Sequence, residues 1–152
     1  MIEARVREAR DGDLAACAAI VNDWVDATPW HKRVVSREDV EAMFVPALLE
    51  SRTVLVAVDE GEQVLGYLSL DEPERFVRGL YLAPTARGRG TGKRLIDEAK
   101  ARCPDRLELG TFEPNRGAIR FYGREGFREV PEGRKADTPE GVPELLMRWE
   151  PR

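Results

Sequence analysis

The sequence predicts a mixed α+β fold, with a six- to seven-stranded sheet and helices on both faces. Three observations carry this. Runs with strand character at residues 53–58, 64–70, 75–82 and 107–111 alternate with segments of helical periodicity. The order is strand, two helices, hairpin, strand, helix, strand, helix, two strands. A glycine-punctuated basic loop joins the fourth strand to an amphipathic helix. The chain has 152 residues, 42% hydrophobic and 34% charged, which suits one globular domain spanning 1–152 with an ordinary core.

Each element has its own warrant. Residues 2–7 alternate and read as a first strand. Asp11 or Asp13 is placed to cap a helix whose Leu14, Cys17, Ala18, Ile20 and Val21 recur at helical spacing, ending near Val25. Pro29 disfavours helix at Thr28 and opens a loop. Ser36-Arg37-Glu38-Asp39 caps a second helix carrying Val40, Met43, Phe44, Ala47 and Leu48, with Pro46 as a kink or break. The turn 59–62 joins a hairpin, and residues 71–74 form an acidic break. Pro104 stops the long helix. Asn115 precedes a short helix with Ala118, Ile119 and Tyr122 on one side, and Gly126 suits its C-terminus. Residues 127–130 and 143–149 read as the last strands, separated by a polar loop at 131–141. No repeat or linker interrupts this order.

Composition excludes several classes. A net charge of −4 argues against a nucleic-acid partner. No apolar run approaches the ~18 residues of a membrane span, and the N-terminus lacks a signal peptide's apolar core. Cys17 and Cys103 sit in no metal or redox spacing, so no metal is expected. They read as small buried hydrophobes in a reducing, cytoplasmic protein.

Chemistry concentrates at residues 87–93, Arg-Gly-Arg-Gly-Thr-Gly-Lys. Glycines allow close approach to the backbone, and the first amides of the following helix lack intrahelical acceptors. Those donors, the helix dipole and three basic side chains make a site for phosphate or diphosphate. A Walker loop is excluded, because Arg94 follows Gly92-Lys93 and Arg87 stands where the first glycine belongs. A Rossmann fingerprint fails at Lys93, its third glycine position.

The spacing Arg87-x-x-Gly90-x-Gly92 after a strand and Pro84 resembles the acyl-coenzyme A loop of the GNAT superfamily of N-acetyltransferases. The stretch from Asn115 through Phe121-Tyr122 to Gly126-Phe127 is similar to that family's second signature, and both stand in the family's order. The resemblance implies acetyl-CoA as co-substrate, held where strands four and five splay apart. It implies backbone contacts to the pantetheine arm at Tyr81 and Leu82. It assigns the diphosphate to Arg87, Gly88, Arg89, Gly90, Thr91, Gly92 and Lys93. Asn115 is a cofactor contact, a helix N-cap, or both. Tyr122 matches the tyrosine that protonates the departing thiolate; the competing reading is a core aromatic.

A general base is harder to place. Some relatives carry a glutamate on the fourth strand, but Phe76, Arg78 and Leu80 occupy that face when counted by twos from Leu82. Glu74, one step earlier, is the candidate; a water chain is the alternative. In similar proteins the first helices roof the acceptor cleft, which nominates Trp24, Trp30 and His31. Their plainer readings are core or dimer contacts for the tryptophans and a surface position for the histidine. The loop 131–141 is a candidate lid or a solvated connection. The expected activity is direct acetyl transfer to a small-molecule amine, a peptide N-terminus or a lysine. The oligomeric state stays open; the resemblance allows a homodimer, since relatives are often dimers. The rival is a non-catalytic acyl-CoA-binding domain, kept open by the absent fourth-strand carboxylate.

Overall fold

The computed structural model describes residues 4–152, so residues 2 and 3 of the predicted first strand lie outside it. One seven-stranded sheet has the order β1-β2-β3-β4-β5-β7-β6. Its strands are β1 Arg5–Glu8, β2 Thr53–Val58, β3 Val64–Asp71, β4 Phe76–Leu82, β5 Leu107–Phe112, β6 Arg128–Glu129 and β7 Glu144–Trp149. The helices are α1 Leu14–Asp26, α2 Arg37–Met43, α3 Leu48–Ser51, α4 Thr91–Arg102 and α5 Arg116–Arg124. Neighbouring strands are antiparallel except β4 and β5, which run parallel.

Alternation along the strands sorts side chains to two cores. On one face Leu55, Leu68, Val77 and Leu109 pack with Leu95, Ile96 and Ala99 of α4 and Tyr122 of α5. On the other, Val54, Val56, Val58 and Tyr67 pack with Cys17 of α1, Phe44 and Leu48. Both faces of β2 and β3 are therefore covered, and each fully buried Leu or Val contributes about 1.5–3 kcal/mol of transfer free energy.

Of the kink or break expected at Pro46 the break is what forms, and one capping expectation is corrected. Residues 37–51 are not one kinked helix: α2 ends at Met43, Phe44 leaves helical geometry at φ −95° and ψ 68°, and α3 starts at Leu48. Pro46 lacks an amide hydrogen and disfavours helix at Val45, which accounts for the break. Ser36 caps α2 as expected, accepting the Asp39 N–H at 3.1 Å. The Asp13 side chain, however, does not cap α1. Its carboxylate accepts from Arg7 at 2.8 and 3.2 Å and from the Arg10 N–H at 2.8 Å. The Arg7 hydrogen bonds hold the Asp13 carboxyl below the usual carboxylate range. A turn of 3₁₀ helix, Asp11–Asp13, leads into α1 instead.

The feature that positions the site is where β4 and β5 part. They share only the pairs Phe76–Glu108 and Val77–Leu109. β4 stays paired with β3 as far as Leu82, and β5 stays paired with β7 as far as Phe112. The register between β3 and β4 also slips: Ser69 faces Gly79, Leu70 faces Val77, and Arg78 is skipped. Such a bulge bends its strand and increases the local twist, which opens the seam. Beyond Val77 the main-chain groups of β4 that face β5 have no strand opposite them.

Candidate active site

A cleft of about 900 Å³ fills the fork and passes through the sheet. Its lining includes Gly79–Leu82 and Gly110–Phe112 from the two strands, the start of α4, and Asn115, Phe121 and Tyr122 from the α5 segment. Because side chains alternate, its two mouths differ. Leu80 and Leu82 point to the core shared by α4 and α5, whereas Tyr81 packs on the α1 side.

At the α4 mouth, Gly88 and Gly90 adopt φ of 73° and 80°, a region that other residues enter at a cost of ~1–2 kcal/mol. A Cβ at either position would meet nothing within 4 Å, so the loop surface is open. Gly90 is the N-cap of α4, and its carbonyl accepts the Arg94 N–H at 3.1 Å. The amides of Thr91, Gly92 and Lys93 precede the first intrahelical donor and remain available to an anion. Gly92 is set against Phe121, where a Cβ would stand 3.2 Å from the ring.

Most of the predicted residues gather here. Arg87, Gly88, Gly90, Thr91, Gly92 and Lys93 line the cleft with Tyr81, Leu82 and Asn115. Arg89 is exposed and lies outside the lining. The Arg87 guanidinium donates to the Leu82 carbonyl at 3.4 Å. Lys93 is already paired with Asp97 at 3.3 Å and Glu125 at 3.2 Å, so it offers an incoming anion less than a free cation would. Thr91 is buried. Asn115 caps α5, its Oδ1 accepting the Ala118 N–H at 3.2 Å, and it lines the cleft as well.

Tyr122 of α5 lines the cleft and is 8% exposed. Its ring packs against Phe121 and Phe127, with centroids 5.2 and 5.7 Å away. Burial pushes its hydroxyl pKa well up, and Tyr81 adds to the shift. It is therefore a neutral O–H donor at any working pH.

The α1 mouth is aromatic and acidic. Trp24, His31, Tyr81 and Phe112 line it with Glu140 and Glu144. Trp24 meets His31 and Tyr81 edge-on at 5.1 and 5.3 Å, and His31 meets Phe112 at 5.2 Å. His31 Nδ1 is buried without a hydrogen-bond partner among the described residues. Trp30 packs behind the wall, 5.8 Å from Trp24 and 5.9 Å from Phe112, outside the lining. The loop carrying these residues is fixed. Arg33 donates to the Asn22 side chain at 2.9 Å and to Asp26 at 3.0 Å, and the Lys32 N–H donates to the Glu140 carbonyl at 3.0 Å. That last bond ties the roof to the loop before β7.

Glu74 is exposed in the β3–β4 turn and lies outside the lining. Counting by twos fails because β4 begins only at Phe76, Arg75 has φ 52°, and the bulge at Arg78 shifts the phase by one residue. Val77, not Arg78, shares a face with Leu80 and Leu82. The carboxylates that line the cleft are Glu125 at the α4 mouth and, at the α1 mouth, Glu140 and Glu144 from the other end of the chain. The β5–β7 register brings Glu144 in opposite Phe112, and Glu140 comes with the adjoining loop; no local pattern marks either.

The Acetyltransferase (GNAT) family model matches residues 17–127. The chain belongs to the GNAT acetyltransferase family. It is an acetyl-CoA-dependent N-acetyltransferase. It is 30% identical over 147 residues to the Escherichia coli peptidyl-lysine N-acetyltransferase YiaC, covering 95% of both chains. It is 30% identical over 139 residues to the Pseudomonas aeruginosa L-methionine sulfoximine/L-methionine sulfone acetyltransferase, covering 83% of this chain and 81% of that one. Among solved structures, yncA of Salmonella typhimurium with its cofactor acetyl-CoA superposes with a TM-score of 0.69 at 25% identity, covering 97% of this chain and 94% of that one. In this GNAT protein the fork, the glycine loop at its α4 mouth and Tyr122 all border the same cleft.

Proposed function

We propose that this protein acetylates the side-chain amine of a lysine by direct attack in a ternary complex. Acetyl-CoA enters from the α4 mouth and the amine from the α1 mouth. The observation that carries the acceptor class is the α1 wall: four aromatic rings and two carboxylates, Glu140 and Glu144. Such a wall attracts a cation and packs an aliphatic stem. An α-amino acid would bring its own carboxylate against those two, a like-charge contact that disfavours it.

The chemistry follows from the placement. The acceptor nitrogen attacks the thioester carbonyl beside the unpaired main-chain groups after the bulge, which supply donors for the developing oxyanion. Tyr122 gives its proton to the departing thiolate. Direct transfer is supported over a covalent cysteine route because burial pushes the Cys17 thiol up to about 12 and raises that of Cys103 as well. Few thiolates form at either.

The same reading includes a cytoplasmic, homodimeric protein. The free, buried Cys17 and Cys103 support the first. Exposed Val34, Val35, Met43 and Val45 supply apolar surface for the second.

A turnover screen read by free thiol release tests the acceptor class, using lysine-containing peptides, peptides with only an N-terminal amine, polyamines, aminoglycosides and free amino acids including methionine sulfoximine. Lysine side chains should give the highest kcat/KM and α-amino acids the lowest. Preference for methionine sulfoximine would overturn the acceptor assignment.

A further inference from the structure

A lysine ammonium with a pKa of ~10.4 is less than about 0.1% free amine at pH 7, so transfer needs a group to take a proton. Among the described residues lining the cleft, the carboxylates are Glu125, Glu140 and Glu144. Glu125 sits at the α4 mouth and is held by Lys93 at 3.2 Å. Glu144 is placed differently. It is the first residue of β7, opposite Phe112, and its carboxyl folds back over Gly110. A Cβ on Gly110 would stand 2.9 Å from both Cδ and Oε2 of Glu144. Gly110 directly follows Leu109, the last β5 residue paired with β4. The carboxylate thus lies at the crotch of the fork, on the acceptor side, and a glycine makes the room for it.

We propose that Glu144 is the general base of this enzyme, taking a proton from the acceptor ammonium where β4 and β5 part. The assignment rests on reading the cleft as an acetyl-transfer site. One N–H proton passes to the Glu144 carboxylate. The freed nitrogen lone pair forms the C–N bond to the thioester carbonyl carbon. The C–S bond breaks with its electron pair leaving on sulfur, and the Tyr122 hydroxyl protonates that sulfur. The second N–H proton restores Tyr122, and Glu144 releases its proton to solvent, so each turnover yields one amide, one thiol and one proton.

The groups facing Glu144 are Lys135, at 3.8 Å across the bridge to β7, Glu140 from the preceding loop, Tyr81 on β4 and His31 from the roof. Burial is the main cause of the raised Tyr81 hydroxyl pKa, and Glu140 and Glu144 both add to it, which puts their charge within electrostatic reach of the acceptor wall.

Glu144→Gln tests this. At neutral pH kcat should fall roughly 10²–10⁴-fold, with acetyl-CoA affinity unchanged. The deficit should shrink as pH rises toward the acceptor's own pKa. Gly110→Ala keeps the carboxylate but pushes it aside. It should lower kcat in the same direction, and the double variant should be no slower than Glu144→Gln alone. A loss confined to KM, or a pH–rate profile identical to wild type, would overturn the base assignment while leaving acetyl transfer standing. A wild-type protein that binds acetyl-CoA and acetylates no amine would overturn the acetyl-transfer reading, and Glu144's role with it.

Discussion

Gly90→Asp is expected to weaken acetyl-CoA binding roughly 10³-fold. Gly90 closes the open loop and caps α4 with φ 80°. A Cβ there meets no atom within 4 Å, so the new side chain projects into the space the diphosphate needs. One like-charge pair at ~4 Å near a protein surface is worth about 4 kcal/mol, nearly three decades in affinity. Backbone strain does not explain such a loss, because aspartate and asparagine tolerate the left-handed region better than most residues. Gly90→Asn separates the two effects: it carries the same shape and strain without the charge and should retain most of the affinity. Isothermal titration with acetyl-CoA reads both. Equal losses in the two variants would show that the loop contributes conformation and not an anion site.

Tyr122→Phe should lower kcat by roughly 10²-fold or more and leave acetyl-CoA affinity and thermal stability near wild type. The ring is what packs against Phe121 and Phe127, and phenylalanine keeps it. What is lost is one O–H in the cleft. Its raised pKa constrains how it works. Handing a proton outright from such a phenol to a thiolate, whose conjugate thiol titrates near ~8.5, is uphill. The transfer becomes favourable when the attacking nitrogen, acidified by its new bond to carbon, returns a proton to the same oxygen. Tyr122 is then a relay between nitrogen and sulfur, and its ionisation should not show in a pH–rate profile between pH 6 and 9. Stopped-flow single-turnover rates separate this step from product release. Full activity in the phenylalanine variant would reduce Tyr122 to packing.

The parts of the site written in local sequence are those that chain geometry forces. Glycines ahead of a helix and an asparagine four residues before Ile119 dictate an open, left-handed loop and a cap whatever else the fold does, and both are found in place. The order of strands and helices was legible for the same reason, since period two and period 3.6 are local signals. What was not legible depends on register. The bulge at Arg78 leaves no composition signature, yet it reverses which side chains face the fork and so misplaces Glu74. Glu144 reaches the cleft only because β7 pairs antiparallel with β5 and Gly110 leaves a gap. Asp13 reads as a cap by type, but a guanidinium from β1 competes for it and wins, two charge-assisted bonds outweighing one amide.

On this proposal one path runs through the sheet, with diphosphate at one mouth and amine at the other. A crystal structure of the acetyl-CoA complex measures it directly. The diphosphate should lie against the main-chain amides of residues 88–93, and the thioester between the post-bulge stretch of β4 and the Tyr122 hydroxyl, with Glu144 on the far side of the carbonyl. A diphosphate bound away from this loop, or an acyl chain that never enters the fork between β4 and β5, would contradict it.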